Sequence, residues 1–181
     1  MRVKPLILIA LLAAVLMPAL NSSPGEAAPL KQSSTKYVYL PLVFKPPSSF
    51  AVRVVELVNQ QRAANGCSQP LAINPALMKA ALAHSTDMAL HDYFSHTGLD
   101  GSSSGTRARQ AGYTGSAGWE NIAAGYSTPE AVVTAWMGSS GHRANLLNCT
   151  LNDTGVGYYY LANDTGTVNY SHYWTQMFGI H

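Results

Sequence analysis

The spacing of apolar and polar residues predicts helices in the first half of the folded part of the chain. Apolar residues recur with helical spacing over residues 51–62, and Asn65-Gly66 is typical of a helix end. Asn74-Pro75 indicates a helix start, with asparagine as the cap, and predicts a second helix to about His91. Thr128-Pro129-Glu130 predicts a further helix start. Short helices are expected over 106–111 and 141–147.

The last part of the chain has the pattern of β-strands. Residues 155–161 and 170–178 are rich in tyrosine, valine and tryptophan, which fit a pleated, half-buried surface. The polar segment 163–166 between them is typical of a hairpin loop, and residues 118–123 are expected to form a third strand. Helices that come before strands predict an α+β domain with a small antiparallel sheet covered by helices.

The N-terminal 49 residues are not expected to belong to this domain. Arg2 and Lys4 precede an apolar run over residues 6–20, followed by small residues, as in a secretory signal. The run is shorter than the roughly 20 apolar residues of a membrane-spanning helix. We expect residues 1–27 to be a signal peptide, with an uncleaved signal anchor as the alternative. Residues 28–49 are predicted to form a linker or extended segment, and it stays open whether 37–44 pack on the domain of residues 50–181.

The charge that remains after cleavage is small. Removal of residues 1–27 takes away two of 11 basic and one of nine acidic residues, so the mature formal charge is +1. Nucleic-acid binding selects for strong basic patches, which this balance argues against. There is also no sign of electrostatic docking to a membrane and no transmembrane helix after signal cleavage. A secreted, extracellular protein is expected.

Two cysteines, Cys67 and Cys149, fit this location. A cysteine pair outside the cell usually forms one disulfide. The loop of about 82 residues would give about 4.5 kcal/mol in the chain-entropy description. Two separate buried thiols are the alternative, and neither cysteine lies in a nucleophile motif.

Three polar segments carry the candidate chemistry: 94–98 with His96, 119–123 with Glu120, and 140–145 with His142. Imidazole binds transition metals and exchanges protons near neutrality. Spacing alone leaves two exposed loop histidines as a rival interpretation, since no compact ligand motif is present. Glu120 fits a third metal ligand, an acceptor that orients an imidazole, or a structural carboxylate. Zinc is the first choice by ligand type.

Other polar and aromatic groups have simpler interpretations. His84 and His91 share a helix face, but a core-facing His84 and a helix-end His91 are favoured over a second metal pair. Serine catalysis at Ser139 or Ser140 is not predicted, because no Gly-x-Ser-x-Gly elbow occurs. Aromatic residues on the last hairpin could line a groove for lipid or glycan, or pack in the core. They are Tyr158, Tyr159, Tyr160, Tyr170, Tyr173, Trp174 and Phe178.

The polar segments, in this order, resemble the CAP superfamily (cysteine-rich secretory proteins, antigen 5, pathogenesis-related 1; the SCP-like domain), and its bacterial branch above all. The resemblance implies an α-β-α sandwich with a small central antiparallel sheet, helices on both faces and one central cleft. The stretches that carry it are His84 to Ala89, Tyr93 to Gly98, Trp119 to Ala124, Ala135 to Met137, Ser140 to Leu147, Gly155 to Tyr158, and Tyr173 to Phe178.

By motif, the cleft histidines of this family fall on His96 and His142, and its acid falls on Glu120. The second acid falls on Ser139, so the charge available to a metal is reduced, and Trp119 stands where glycine is usual. The metal ligands implied are therefore His96, His142 and Glu120, with Zn²⁺ as the candidate cofactor. The cleft residues implied are Ser139, Asn121 and Asn145.

This resemblance leads us to expect an extracellular binding protein whose cleft takes a divalent metal or a small ligand. A metal-assisted hydrolase of peptides or cell-wall polymers, with Glu120 as general base, is the alternative. A lipid or sterol carrier is a third interpretation. The partner, whether small ligand, lipid, glycan or protein, stays open.

Overall fold

A computed structural model describes residues 49–181 of the protein. This part contains five α-helices and four β-strands. In chain order they are α1 (Ser49–Ala64), β1 (Ala72–Ile73), α2 (Pro75–Leu90), α3 (Ser104–Gln110), β2 (Ser116–Ala124), α4 (Pro129–Gly138), α5 (Ser140–Leu146), β3 (Asp153–Tyr160) and β4 (His172–Ile180).

The strands form one sheet, in the order β1-β3-β4-β2, between two layers of helices. Met177 of β4 packs with α2 and α3, whereas its neighbour Phe178 packs with α1, α4 and α5. Successive side chains on a strand point to opposite faces, so the helices cover both faces of the sheet. The α-β-α sandwich is confirmed.

The sheet differs from the expectation at one edge. β3 pairs antiparallel with β4, and β4 with β2, but β1 pairs parallel with β3. β1 has only two residues, Ala72 and Ile73, so it leaves no periodic signal in the sequence. The three predicted strands are antiparallel as expected, but the sequence analysis did not predict β1 or its parallel pairing.

The helix starts follow the predicted capping chemistry. The side-chain oxygen of Asn74 accepts hydrogen bonds from the backbone N–H groups of Ala76 and Leu77 at the start of α2. The hydroxyl of Thr128 accepts from the N–H of Ala131 at the start of α4. Proline occupies the first turn of both helices, where its missing N–H costs no hydrogen bond.

Two glycines in β3 set the distance between α2 and the sheet. A Cβ atom at Gly155 or Gly157 would collide with the backbone of α2. With hydrogen in that place, the helix backbone lies directly on the strand. This contact fixes α2 and the loop that follows it relative to β2 and β4.

The C-terminal end of α1 is tied to the segment that follows α5. Cys67 and Cys149 form the expected disulfide, with 5.2 Å between their Cα atoms. Next to it the side chain of Arg62 is fully buried. Its guanidinium donates hydrogen bonds to four backbone carbonyls, those of Gln69, Leu146, Asn148 and Leu151. These bonds and the disulfide anchor α5 to the body of the domain.

The predicted signal peptide, residues 1–27, and nearly all of the predicted linker, residues 28–49, lie outside the described residues, as does the 37–44 segment. In residues 49–181 none of the helices has the length and apolar character needed to cross a membrane.

Candidate functional site

The three polar segments meet at the edge strand β2. Glu120 lies on β2, His96 lies in the loop between α2 and α3, and His142 lies on α5. Adjacent strand residues point to opposite faces of a sheet, so Glu120 faces the α2–α3 layer and Asn121 faces α5. The site therefore has two halves, one on each face of the sheet, joined by the backbone of β2.

The first half is a chain of hydrogen bonds centred on Glu120. Nδ1 of His96 lies 2.8 Å from Oε1 of Glu120, and Nη2 of Arg107 lies 2.6 Å from Oε2. The same Nη2 atom donates to the backbone carbonyl of His96 at 3.0 Å. The Glu120 side chain is only 2% exposed, whereas that of His96 is 57% exposed. A buried carboxylate thus holds an exposed imidazole.

These contacts determine the protonation state of the carboxyl group. Burial is the largest single effect and acts to raise the pKa of Glu120, but the His96 hydrogen bond, the charges of Arg107 and His84 and the Arg107 hydrogen bond together outweigh it and leave that pKa below its usual range. Glu120 is therefore ionised at neutral pH and can only accept hydrogen bonds. Since Nδ1–H of His96 donates to it, Nε2 of neutral His96 carries the free lone pair.

The second half is an amide network that holds α5 against β2. Asn121 is fully buried, and its Nδ2 donates to the backbone carbonyl of His142 at 3.1 Å. Nδ2 of Asn145 donates to Oδ1 of Asn121 at 2.9 Å and to the carbonyl of Glu120 at 3.2 Å. Burial, and then the charge that His96 carries when it is protonated, lowers the pKa of His142. The neutral imidazole is therefore the main form of His142 at neutral pH.

A cleft of about 280 Å³ lies over the edge of β2 between these halves. It is lined by His96, Thr97, Ser103, Ser104, Gly118, Trp119, Glu120 and Asn145. β2 carries a bulge between Ala117 and Trp119, so Gly118 is an extra residue whose backbone is open to the cleft. Half-buried Trp119 supplies an aromatic wall.

The predicted site residues are placed as follows. His96, Glu120 and Asn145 line the cleft, Asn121 is buried behind it, and His142 lies on the adjacent helix. Ser139 lies at the junction of α4 and α5 and is not among the lining residues. Among residues 49–181 no group of three or more histidine, cysteine, aspartate or glutamate side chains is arranged to hold a metal ion.

Sequence reasoning missed Arg107. It lies on α3, one of the short predicted helices, and its side chain is 10% exposed. The available signal was indirect: a buried Glu120 requires a cation, and Arg107 and Arg109 are the only basic residues between the His96 and Glu120 segments.

The outward-facing carbonyls of β2 are occupied by side chains. The hydroxyl of Ser104 donates to the carbonyl of Gly118, Asn145 donates to that of Glu120, and the indole N–H of Trp136 donates to that of Ile122. The edge of the sheet is thereby closed along the cleft.

The remaining sequence interpretations are resolved by burial. His84 is buried, which confirms a core-facing histidine, but its Nε2 lies 2.9 Å from the carbonyl of the exposed residue Ser95, so the expectation of a buried partner is wrong. His91 lies at the C-terminal end of α2 and pairs with Asp87 at 2.8 Å. On the last hairpin, Tyr173, Trp174 and Phe178 are buried in the core, whereas Tyr160 and Tyr170 are exposed.

Comparisons with known proteins identify relatives of this domain. The family model described as "CAP: Cysteine-rich secretory protein family" matches residues 55–178. The uncharacterized protein YkwD of Bacillus subtilis is 40% identical over 131 residues, which are 72% of this chain and 47% of that relative. The uncharacterized membrane protein YlbC of the same organism is 32% identical over 105 residues, 58% of this chain and 30% of that protein. The chain thus matches less than half the length of both.

Solved structures have the same fold. An extracellular protein with an SCP domain from Bacillus anthracis has a TM-score of 0.62 at 30% identity, and the match covers 72% of this chain and 40% of that one. An outer surface protein from Borrelia burgdorferi has a TM-score of 0.62 at 20% identity, with 71% and 90% covered.

Proposed function

The chain belongs to the CAP family of cysteine-rich secretory proteins, and on that premise we propose that its cleft binds a divalent metal ion, zinc first, in an extracellular binding role. The similar SCP-domain protein of Bacillus anthracis is described as extracellular, which supports the extracellular location. The observation that carries the proposal is the hydrogen bond between Nδ1 of His96 and Oε1 of Glu120.

This bond prepares His96 as a metal ligand. Histidines that bind metals nearly always donate their other ring N–H to a carboxylate or carbonyl, which fixes the tautomer and the ring orientation. Glu120 performs this role for His96, so that in the neutral ring Nε2 is the nitrogen left for a metal. Arg107 pairs with Oε2 of Glu120, which helps to keep the carboxylate ionised and leaves Oε1 to accept from His96.

His142 supplies the second imidazole. Metal binding requires the neutral ring, and the lowered pKa of His142 favours that form at neutral pH. Both oxygens of Glu120 are already occupied by His96 and Arg107, so we assign Glu120 to positioning rather than to coordination. With two imidazoles and water as the remaining ligands, the affinity for zinc would be modest.

The other functions considered from the sequence have weaker support. A hydrolase that uses Glu120 as general base needs a carboxylate with a free oxygen and a pKa near the working pH. Glu120 has neither, because its pKa is lowered and both oxygens accept hydrogen bonds. A lipid or sterol carrier would use the aromatic hairpin, but three of its seven aromatic residues are buried in the core and two more, Tyr158 and Tyr159, pack against it.

Zinc calorimetry on the oxidised domain tests the proposal. We expect a single site in the wild type, no site in the His96→Ala/His142→Ala double variant, and about 10- to 100-fold weaker binding in Glu120→Gln. His181→Ala is the matched control for adventitious zinc at an exposed histidine and should bind like the wild type. Equal heats from the wild type and the double variant would remove the metal site.

A further inference from the structure

The exposed aromatic residues of the domain lie together at one end of the sheet. Within residues 49–181 the exposed aromatic residues are Phe94, Tyr126, Tyr160 and Tyr170. The last residues of β2 and of β3 both pair with the first residues of β4, so these strand ends lie side by side. Tyr160 ends β3, Tyr126 follows β2 and Tyr170 precedes β4. Single exposed rings are ordinary, whereas a group of them at one place is typical of a binding surface.

Phe94 and Tyr170 form an aromatic corner on this surface. The centroids of their rings are 6.1 Å apart, and the ring planes are inclined at 65°. Phe94 is 41% exposed and Tyr170 is 48% exposed, so solvent reaches both residues beside their mutual contact. In aromatic cages, rings of this kind contact the methyl groups of a quaternary ammonium ion.

The backbone of Tyr170 is held by the buried carboxylate of Asp164. Oδ2 of Asp164 accepts hydrogen bonds from the N–H groups of Tyr170 and Ser171, each at 2.8 Å, and from the hydroxyl of Tyr173 at 2.6 Å. Burial acts to raise the pKa of Asp164, but these hydrogen bonds outweigh it and leave that pKa below its usual range. Asp164 is therefore ionised at neutral pH.

The segment that carries Phe94 is joined to the same loop by Asp92. Asp92 lies two residues before Phe94 in the chain, and its two carboxylate oxygens accept from the N–H groups of Thr167 at 3.0 Å and Val168 at 2.6 Å. Val168 in turn lies two residues before Tyr170. These bonds connect the backbone segments that carry the two rings of the aromatic corner.

The fixed charge around the aromatic corner is negative. The segments that carry the exposed rings, residues 91–95, 125–129 and 160–171, contain no lysine or arginine. Among residues 49–181 neither Asp92 nor Asp164 forms an ion pair with a basic side chain. The two carboxylates therefore favour a cationic partner and disfavour an anionic one, such as a nucleic acid or an acidic lipid.

The hydrogen bonds of the two carboxylates decide which kind of cation fits. Both oxygens of Asp92 and one oxygen of Asp164 already accept backbone N–H groups. A primary ammonium group has three N–H donors that require acceptors. A quaternary ammonium group has none, and it binds through its charge and its methyl groups.

We propose that the aromatic corner of Phe94 and Tyr170 is a second binding site, and that it takes the trimethylammonium group of a small soluble cation of the choline class. The methyl groups pack on the two rings, and the charges of Asp92 and Asp164 add to the attraction. The site lies at the end of β2, beyond Glu120, and it uses none of the groups assigned to metal binding.

Nuclear magnetic resonance of the backbone amides tests the proposal in the oxidised, signal-free chain. Choline is titrated into ¹⁵N-labelled protein while the amides of Tyr170 and Ser171, which donate to Asp164, are observed. We expect saturable shifts with a dissociation constant in the millimolar range, since two exposed rings form the site. The matched probe is the uncharged alcohol in which a tert-butyl group replaces trimethylammonium. It has the same shape without the charge and should bind about fivefold more weakly or worse.

Leucine variants distinguish the aromatic corner from the other exposed rings. Phe94→Leu and Tyr170→Leu keep an apolar side chain but remove a ring, and each should weaken choline binding about twofold to fivefold. Phe94→Tyr keeps the ring and should bind like the wild type. Tyr160→Leu is the control, because Tyr160 is exposed at the same end of the sheet but contacts the ring of His172, and it should also bind like the wild type.

Four results would overturn the proposal. The first is the absence of a saturable shift with choline, and the second is equal affinity for choline and the uncharged alcohol. The third is undiminished choline binding in both Phe94→Leu and Tyr170→Leu. The fourth is a shift of the same amides that follows protein concentration without choline, which would identify a second copy of the chain as the occupant.

Discussion

The replacement of Arg62 by methionine tests whether one buried cation holds the α5 end of the site in place. Methionine has a similar length and fills most of the space, but it cannot donate hydrogen bonds. The carbonyls of Gln69 and Asn148 belong to less buried segments and can be hydrated. Those of Leu146 and Leu151 are in fully buried residues and would lose donors at 2.9 Å.

The expected loss of stability in Arg62→Met follows from the two buried carbonyls of Leu146 and Leu151. Each buried acceptor left without a donor costs about 1–3 kcal/mol, so the two together cost about 2–6 kcal/mol. Burial also lowers the pKa of Arg62, which shows that the folded state carries a desolvation cost for this cation. Methionine removes that cost, so we expect a net loss of about 2–4 kcal/mol, a large part of the stability of a typical domain.

Urea unfolding followed by tryptophan fluorescence measures this loss, with the disulfide kept oxidised. Trp136 and Trp174 are buried and report on the core. Arg109→Met replaces an exposed arginine on α3 and should change the free energy of unfolding by less than about 0.5 kcal/mol. If Arg62→Met is no less stable than Arg109→Met, the four hydrogen bonds of Arg62 do not contribute to stability as described.

Three further predictions concern stability. Replacement of both Cys67 and Cys149 by alanine should lower the free energy of unfolding in urea titrations by about 4.5 kcal/mol, since the disulfide closes a loop between residues 82 positions apart. A loss below about 1 kcal/mol would contradict the chain-entropy argument. Gly157→Ala should destabilise the domain by about 1–3 kcal/mol, because the new Cβ atom meets the backbone of α2. Gly118→Ala is the control, since a Cβ atom there has open space, and equal melting temperatures for the two variants would refute the argument. Burial lowers the pKa of His84 below its ordinary value near 6.5, so the unfolded chain binds more protons than the folded one, and the free energy of unfolding should fall as the pH drops from about 7 through 6.5. His84→Gln should flatten this dependence of the free energy of unfolding on pH, and an unchanged dependence would exclude His84 as its source.

Local sequence signals predicted much of this fold and part of the site. Asn74 and Thr128 are caps whose side chains act within three residues, so the sequence alone located the starts of α2 and α4. His96 and Glu120 were identified because each lies in a short motif. Their contact with each other joins a loop to a strand, and only the resemblance to a family suggested it.

The groups that the sequence could not reveal depend on long-range contacts. Arg62 and Arg107 look like exposed basic residues on helices, yet their partners lie 84 and 13 positions away. Strand β1 is too short to show a period, and its parallel pairing depends on where β3 lies. Burial of a charge is a property of the tertiary structure, which is why composition and spacing did not reveal it.

The closure of β2 by Ser104, Trp136 and Asn145 has a consequence for the behaviour of the protein at high concentration. An open strand offers free carbonyls to a second chain, and such pairing leads to dimers, swapped domains or fibrils. Here an incoming strand would have to displace three side-chain donors, one of which is the indole of a core tryptophan. At the opposite margin of the sheet, β1 is too short to template another chain. Within residues 49–181 self-association by sheet extension is therefore disfavoured at both margins, and the groups that prevent it at β2 include one, Asn145, that also shapes the cleft.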